Sequence, residues 1–485
     1  MMSRLHRLLF RLFQARKTVL FSLLGLFLVL LLSQVAEQPF EGLAGRSIGL
    51  QEIKSLPAFP GAEGFGAATI GGRGGRVIEV TNLNDNGSGS LRAAIEAQGP
   101  RVVVFRVGGT ILLNTGLAIK HPYITIAGQT APGGGITLRN NSNKKAPLHI
   151  NTHDAVVRYL RSRPGSNLNE TGDLDALTIA GAKGQVYNVI VDHCSLSWAT
   201  DEVASTFYDA HDITIQWSIL SEGLDCATHI EQGQRQCHSM GLLLGSNGSK
   251  NISIHHNLLA HNRRRNPLVK NSGVTDVVNN VVYNSGFGTK SFSPTEVLGT
   301  YGRAQANYVN NYFQPGVDTR SADWFIDTKE QPVAVYAEGN QVPKMVVQPD
   351  SQKWMVRRHH PAPTITTTSA QSAYEQVLMQ AGDNCGLSPT GAFVTTRDTI
   401  DDRIVTEVKQ KTGHIINDPS EVGGWIKVAA GTPPLDSDHD GMPDAFEARS
   451  GLNPKDPADA STDHNGNGYT NIEEFLNETC ASKSL

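Results

Sequence analysis

Three groups of charged residues in the middle of the chain are the clearest candidates for chemistry. Asp173 and Asp175 lie at i and i+2, so both carboxylates project from the same side of a strand. Asp201 and Glu202 follow about one structural turn later, which places further carboxylates near that pair. The third group is cationic and consists of Arg263, Arg264, Arg265 and Lys270. We predict that the chain brings the three groups to neighbouring turns of a repetitive fold.

The elements that position these groups are short strands that recur along the chain. Each unit is an alternating apolar run, a polar corner and a second short apolar run, as in NVIVDHCSLSW and NISIHHNLLAHN. Five corner residues fall into register at separations of 23, 40, 23 and 31 residues, namely Cys194, Trp217, Asn257, Asn280 and Asn311. A period of about 23 residues with loop insertions is typical of a solenoid.

Strand-type residues with frequent corners favour a parallel β-helix, in which each turn buries its inward face against the turns above and below. Asn at the corners suits this fold, because Asn tolerates left-handed backbone and its amide can hydrogen-bond to the equivalent residue one turn away. The sequence therefore predicts an all-β solenoid over about residues 57–345, followed by an extension, 346–435, that packs back on it. A β-sandwich is the alternative fold.

Residues 436–479 contain two copies of the spacing that an EF-hand calcium loop uses. Such a loop places oxygen ligands at positions 1, 3, 5, 9 and 12, with Gly at position 6. In the first copy these positions hold Asp436, Asp438, Asp440, Asp444 and Glu447. In the second copy they hold Asp463, Asn465, Asn467, Asn471 and Glu474. We predict a small EF-hand-like segment that binds Ca²⁺, with an ion-free acidic tail as the alternative.

The charge distribution argues against nucleic acid as a partner. The 485 residues carry 42 Lys and Arg against 46 Asp and Glu, and the first 36 residues hold five of the bases and no acid. The rest of the chain is therefore acidic and lacks the basic surface that nucleic-acid binding needs. Nothing in the sequence predicts a stable protein partner, so we expect a monomer.

The N-terminus predicts export. A basic start precedes an apolar run at 18–33, which is too short as a helix to span a bilayer core of ~30 Å. We predict a secretory signal within residues 1–44 and a secreted protein, with an uncleaved membrane anchor as the alternative. In an oxidising compartment Cys226 and Cys237, which share one polar loop, are candidates for a disulfide. Cys194 is predicted to be a buried core residue.

Several motifs in the region 57–345 resemble those of the pectate lyase family. They are, in the family's order, FPGAEGFGA at 59–67, Asp173-x-Asp175-Ala, VDHCSLSW at 191–198, the Asp201 segment and Arg265-x-Pro267-x-x-Lys270. This family has a right-handed parallel β-helix and cleaves polygalacturonate by calcium-dependent β-elimination. The resemblance implies that fold, that substrate and Ca²⁺ as cofactor. The C-terminal loops resemble dockerin-like or thrombospondin-type calcium repeats.

The resemblance also implies roles for the charged groups. Asp173, Asp175 and Asp201 would hold the calcium ion that bridges the protein and a substrate carboxylate. Arg265 would be the base that removes the C5 proton, and Lys270 would bind substrate carboxylate. An Arg base needs a cationic, partly dehydrated setting because a free guanidinium stays protonated near neutral pH. Arg263 and Arg264 are predicted to supply that charge beside the substrate.

Two positions depart from the family pattern. Met240 stands where many members carry a substrate-binding Lys, and Ser205 stands where a second acid follows the Asp201 position. We predict that Glu202 compensates for the missing acid as a metal ligand. Met240 predicts a different cationic partner, an altered substrate or weak activity. His238 is predicted to be a corner or core residue rather than a catalytic base.

The leading prediction is a secreted pectate lyase that cleaves de-esterified homogalacturonan and leaves 4,5-unsaturated oligogalacturonides. Two alternatives stay open, a non-catalytic polysaccharide-binding or adhesive β-helix and a lyase for another uronan. A hydrolase of the polygalacturonase kind is disfavoured, because it needs acid and base carboxylates flanking the bond. The sequence offers no acidic cluster for that chemistry separate from the calcium-like set.

Overall fold

The computed structural model describes residues 56–480, apart from the segments 142–144, 167–173, 182–183, 232, 287–293, 320–325, 329–331, 343–352 and 479. The predicted secretory segment and Asp173 therefore lie outside the described residues. Within the described ranges, no helix combines the length and the apolar character needed to cross a membrane.

Three parallel sheets run along the molecule, and each complete turn of the described chain contributes one strand to each sheet, while β1 and β28 extend sheet A alone at its two ends. Sheet A contains β1 (Arg76–Val80), β2 (Arg101–Phe105), β5 (Ile124–Ala127), β8 (Ala155–Arg158), β11 (Tyr187–Asp192), β14 (His211–Gln216), β19 (Lys250–His255), β22 (Val274–Val278), β25 (Ala304–Val309) and β28 (Val333–Glu338). Sheet B contains β3 (Gly109–Leu113), β6 (Ile136–Asn140), β9 (Arg161–Arg163), β12 (Ser195–Ser197), β15 (Ile219–Ser221), β20 (Leu258–Ala260), β23 (Val281–Tyr283) and β26 (Tyr312–Gln314). Sheet C contains β4 (Leu117–Ile119), β7 (Leu148–Ile150), β10 (Leu177–Ala180), β13 (Glu202–Phe207), β18 (Met240–Ser246), β21 (Leu268–Asn271), β24 (Thr295–Val297) and β27 (Ile326–Asp327).

The strand register confirms the predicted parallel β-helix. Strands pair in parallel with their equivalents one turn before and after, as Ile213 of β14 does with Val189 and Ile252. The inward residues stack into one core along the solenoid, where Ile254 and Val277 lie in consecutive turns and are almost fully buried. Burial of each such side chain stabilises the fold by about 1.5–3 kcal/mol.

The corner between sheets A and B carries the predicted amide ladder. Asn257 Nδ2 donates to Asn280 Oδ1 at 3.0 Å, and Asn280 Nδ2 donates to Asn311 Oδ1 at 3.0 Å. Asn311 Nδ2 in turn donates to Asn340 Oδ1 at 2.8 Å. The left-handed backbone lies one residue earlier in each turn, for example at Asn279 with φ 52°.

The sequence register of one corner residue was wrong by one position. Ser218, not Trp217, occupies the ladder position, because Ser218 N donates to Asn257 Oδ1 and Cys194 N donates to Ser218 Oγ. Trp217 instead occupies the left-handed position, with φ 48°, and stacks on His256. Cys194 is buried and free, as predicted.

The remaining elements are short helices and two antiparallel hairpins. The helices are α1 (Leu91–Glu96), α2 (Ala370–Gln380), α3 (Thr399–Gln410), α4 (Asp444–Ser450) and α5 (Asn471–Asn477), with 3₁₀ turns at Gly128–Thr130, Pro419–Val422 and Asp459–Ser461. The hairpins pair β16 (Ile230–Glu231) with β17 (Gln234–Arg235) and β29 (Cys385–Leu387) with β30 (Phe393–Thr395).

Helix α3 attaches the C-terminal extension to sheet B. Its apolar residues Ile400, Ile404 and Val408 recur four residues apart, so they share one face. All three are buried, in a cluster that includes Leu258 and Val281 of the β-helix. The predicted Cys226–Cys237 disulfide is present. A second disulfide, Cys385–Cys480, joins the β29 hairpin to the C-terminus of the described chain and was not predicted from the sequence.

Candidate metal and arginine site

The predicted charged groups meet at the start of the strands of sheet C. Glu202 begins β13 and pairs with Met240, the first residue of β18, and Met240 forms a bridge with Arg264 on the following turn. Asp175 lies two residues before β10, on the turn before Glu202. Three residues that are far apart in sequence thus become neighbours because parallel strands stack in register.

Three acids form a compact carboxylate cluster. Oxygen atoms of Asp175, Asp201 and Glu202 all lie within 4.8 Å of one another, and Asp175 and Glu202 are buried. Burial alone would raise the pKa of Asp201, but its contact with His238 and the charges of His229 and Arg265 hold that pKa below its ordinary value. Three carboxylates this close together, two of them buried, are a suitable binding site for a hard divalent cation.

Ser205 contacts this cluster without adding a charge to it. Its Oγ donates to Asp175 Oδ2, and Thr178 Oγ1 donates to the same oxygen at 3.0 Å. The two hydroxyls therefore orient Asp175, and the third acid is supplied by Glu202.

Arg265 lies directly beside the carboxylate cluster. Its Nη1 forms an ion pair with Glu202 Oε1, and its backbone is left-handed, with φ 59°. Burial lowers the pKa of Arg265 below its ordinary value, although the charges of Asp201, Glu296 and Asp175 act in the opposite direction. A guanidinium in this setting loses its proton more readily than one in water.

The other predicted cations have specific partners. Arg264 forms a two-pronged contact with Glu296, with Nε–Oε1 at 3.0 Å and Nη2–Oε2 at 2.8 Å. Arg263 Nη1 lies 3.1 Å from Asp225 Oδ1. Lys270 Nζ lies 5.4 Å from the centre of the Tyr301 ring.

Met240 is buried, with 5% of its surface exposed, between Glu202 and Arg264 on the strand ladder. Its thioether carries no charge, so this position contributes no cation to the site. Among the predicted cations, Arg265 forms an ion pair with Glu202 of the carboxylate cluster.

Two histidines at this site were not predicted as site residues. His238 Nε2 lies 2.9 Å from Asp201 Oδ1, and His229 Nδ1 lies 3.9 Å from the same oxygen. The two rings stack with centroids 3.9 Å apart. His238 is buried, in line with the prediction, but the β16–β17 hairpin that brings both rings to Asp201 left no spacing signal in the sequence.

The acids of the first C-terminal loop also cluster, but Asp459 takes the place of the predicted Asp444. Asp436, Asp438 and Asp440 form one group, and Asp440, Glu447 and Asp459 form a second that shares Asp440. Asp459 lies outside the 12-residue loop, and no spacing rule identified it. Asp444 is not part of either group, since its carboxylate accepts hydrogen bonds from Ser437 N and Oγ at 2.7 Å each.

Several carboxylate oxygens of this first loop are buried without a hydrogen-bond partner in the described chain. They belong to Asp438, Asp440, Glu447 and Asp459. Burial, followed by the charges of neighbouring acids, raises the pKa of Asp440 to about 8 and that of Glu447 to about 7. Buried, mutually repelling carboxylates of this kind fit a bound cation.

The second loop is more exposed and largely satisfied by its own hydrogen bonds. Asp463 Oδ2 accepts from Gly468 N at 2.8 Å, and Asn465 Oδ1 accepts from Asn467 N at 3.0 Å. Asn467 Nδ2 donates to Glu474 Oε1 at 2.6 Å, while Asn471 Nδ2 donates to Asp459 O at 2.9 Å. At the five predicted ligand positions this loop has two acids, Asp463 and Glu474, whereas the first loop has five.

The protein is a parallel β-helix with a carboxylate cluster and an adjacent arginine at the start of the sheet C strands. Similar proteins include a probable pectate lyase C from Aspergillus flavus, which is 37% identical over 448 residues, covering 89% of this chain and 96% of the relative. A probable pectate lyase C from Aspergillus terreus is 35% identical over 452 residues, covering 90% and 97% of the two chains. The chain belongs to the pectate lyase family, a family of polysaccharide lyases.

Solved structures similar to the chain include a pectate lyase from Bacillus sp. N165 in complex with trigalacturonate. It has 16% sequence identity and a TM-score of 0.44, and the match covers 66% of this chain and 98% of that one. No family model matches the chain.

Proposed function

We propose that this protein is a secreted pectate lyase that cleaves de-esterified homogalacturonan by calcium-dependent β-elimination. The observation that carries the proposal is the contact of Arg265 with Glu202, which places a half-buried guanidinium against a carboxylate cluster. A basic nitrogen beside a cation site is the combination that elimination next to a carboxylate requires.

Asp175, Asp201 and Glu202 are the described residues that would hold Ca²⁺, and Asp173 is a further candidate outside the described ranges. Bound there, the ion would neutralise the substrate's C6 carboxylate and stabilise the negative charge that develops as C5 is deprotonated.

Arg265 would take the proton from C5 onto a neutral guanidine nitrogen. The electron pair of the C5–H bond forms the C4–C5 double bond, the bond between C4 and the glycosidic oxygen breaks, and the departing oxygen takes a proton from water. The product carries a 4,5-unsaturated end. Lys270, Arg263 and Arg264 are the candidates for contacting flanking uronate carboxylates, because they are the cations closest to Arg265 in the sequence.

Export and C-terminal calcium binding complete the proposal. The Cys226–Cys237 and Cys385–Cys480 disulfides fit an oxidising compartment. The first C-terminal loop would bind Ca²⁺ through Asp436, Asp438, Asp440, Glu447 and Asp459. The second would bind it more weakly, because it offers fewer charges. Calcium bound per chain, counted by equilibrium dialysis for the native protein and for Glu447→Gln, checks this order: the variant should lose the tighter of the two C-terminal ions.

The test of the lyase proposal uses polygalacturonate and follows the ultraviolet absorbance of the new double bond. The native protein should produce this signal with calcium and not with a chelator, and Arg265→Ala should lower kcat by at least about 100-fold, the lower range for a general base. Arg449→Ala, an exposed arginine of α4, is the matched control and should retain activity. Signal that survives in Arg265→Ala would exclude Arg265 as the base, and no signal at any alkaline pH would favour a binding protein or another uronan.

A further inference from the structure

The β16–β17 hairpin holds two imidazoles against the carboxylate cluster. His229 precedes β16 and His238 follows β17, so the two antiparallel arms bring the rings into a stack. One ring nitrogen of each histidine and one Asp201 oxygen all lie within 4.8 Å of one another. Both histidines are more than 90% buried.

The hairpin is fixed at its base before any ligand arrives. Cys226 and Cys237 form a disulfide across the two arms, and His238 N donates to Asp225 O at 2.7 Å. Gln236 N donates to His229 O at 3.0 Å, which pairs the arms beyond the disulfide. The two rings are thus pre-positioned, which reduces the entropy lost when they bind a shared ligand.

The chemistry of these donors differs from that of the neighbouring acids. Ca²⁺ binds oxygen ligands, whereas Zn²⁺ and related transition-metal ions favour imidazole nitrogen combined with carboxylate oxygen. The disulfide leaves Cys226 and Cys237 with no thiolate to offer. Two imidazoles and one carboxylate make a three-ligand set of the kind that leaves a coordination position for water.

We propose that His229, His238 and Asp201 form a second metal site, selective for a divalent transition-metal ion of the Zn²⁺ class. Asp201 belongs both to this site and to the carboxylate cluster of Asp175 and Glu202. An ion on the two imidazoles withdraws Asp201 from the calcium site, so zinc raises the calcium concentration that the lyase needs. Zinc binding is independent of the lyase activity; the effect on calcium rests on the proposed function.

The test of the site titrates the untagged protein with Co²⁺, whose visible spectrum reports imidazole coordination, with Zn²⁺ as the competing ion. We expect one equivalent of Co²⁺ with bands of a four- or five-coordinate site, displaced by Zn²⁺. Each of His229→Gln and His238→Gln should weaken Co²⁺ binding by at least about 100-fold, above the range for outer-shell partners. His211→Gln is the matched control, because His211 also contacts an aspartate, Asp212, but lies on β14 of sheet A.

Two results would overturn the site: a native protein without these bands, or unchanged Co²⁺ affinity in both histidine variants. Melting temperatures show whether each variant folds, and the native spectrum is decisive even where one does not. In a separate assay, a fixed Zn²⁺ concentration should raise the half-saturating Ca²⁺ concentration of the lyase several-fold in the native protein and not in His229→Gln. An unchanged calcium requirement in the Zn²⁺-bound protein would exclude Asp201 as a ligand that both sites share. Absence of lyase activity would contradict the proposed function, and the Co²⁺ titration would still decide whether the histidine site exists.

Discussion

Glu202 shows how one residue can serve two partners at this site. Its carboxylate forms an ion pair with Arg265 and also belongs to the cluster with Asp175 and Asp201. Ser205, three residues along the same strand, only donates a hydrogen bond to Asp175. The acid at position 202 therefore supplies charge that position 205 does not.

Replacing Glu202 should weaken calcium binding without unfolding the chain. Glu202→Gln keeps the side-chain volume but removes one of three carboxylates, so we expect the half-saturating calcium concentration of the lyase to rise at least about 10-fold, equivalent to ~1.4 kcal/mol of binding free energy. Glu296→Gln is the control, because Glu296 pairs with Arg264 outside the cluster. Addition of Ser205→Asp to Glu202→Gln should restore calcium affinity, and a calcium requirement unchanged by Glu202→Gln would remove Glu202 from the ligand set.

Sequence reasoning identified the site residues that follow a motif spacing and missed the ones that only the tertiary structure places at the site. Asp175, Asp201 and Glu202 were predicted as neighbours, and they are clustered. His229 and His238 were missed as site residues because only a disulfide-closed hairpin carries them to Asp201. Asp459 was missed because it follows the 12-residue loop that the calcium pattern describes.

At the scale of elements, the asparagine ladder is the feature that fixes the corner of each turn. Asn280 uses its amide fully, accepting from Asn257 N and donating to Ile254 O and to Asn311 Oδ1. Asn340 is half-buried and donates to Tyr308 O and Glu338 O. The later corners were predictable because Asn recurs at the ladder position of consecutive turns. The Trp217 register was not, because Ser218 and Cys194 occupy that position in the two preceding turns and break the Asn pattern.

Loss of an interior amide should cost more stability than loss of the last one. Asn280→Ala removes the partner of two buried backbone groups in the preceding turn, Asn257 N and Ile254 O, and of Asn311 Oδ1 in the next turn. We therefore expect the free energy of unfolding to fall by about 2–4 kcal/mol. Asn340→Ala, at the half-buried end, should lower it by only about 0.5–1.5 kcal/mol. Denaturant unfolding monitored by circular dichroism measures both. Equal losses of unfolding free energy in the two variants would show that an interior ladder position contributes no more stability than the terminal one.

At the scale of the whole molecule, a buried charge cluster joins the β-helix to its C-terminal extension. Arg161 and Arg163 of β9 face three carboxyl groups of the extension, Asp383, Asp398 and Asp401, at distances from 2.6 to 3.2 Å. Arg161 lies between Asp383 and Asp398, at 3.2 Å from each, so Asp383 shares this cation with a second acid. Burial, with the charges of Asp401 and Asp398, raises the pKa of Asp383 to about 8 despite the opposing charge of Arg161.

A raised carboxyl pKa in the native state makes stability fall as pH rises. In the unfolded chain Asp383 ionises near pH 4, whereas the native protein holds the proton up to about pH 8, so the unfolding free energy falls across that interval. Asp383→Asn, which is neutral at every pH, should remove on the order of 2 kcal/mol of this decline between pH 5 and pH 8. Melting temperatures of the native protein, this variant and Asp402→Asn, an exposed residue of α3, measure the difference. A decline of the same size in the native protein and Asp383→Asn would show that Asp383 is ionised when folded.

The β16–β17 hairpin also bears on how this molecule can change over evolutionary time. Its insertion lengthens one turn of the solenoid to 39 residues between Ser218 and Asn257, against 24 between Cys194 and Ser218, yet the ladder contacts across both turns are intact. The loop between β15 and β18 can therefore gain or lose residues without disturbing the strand stacking of the β-helix. Grafting hairpins from relatives between β15 and β18 offers a route to enzymes with new metal responses on an unchanged scaffold.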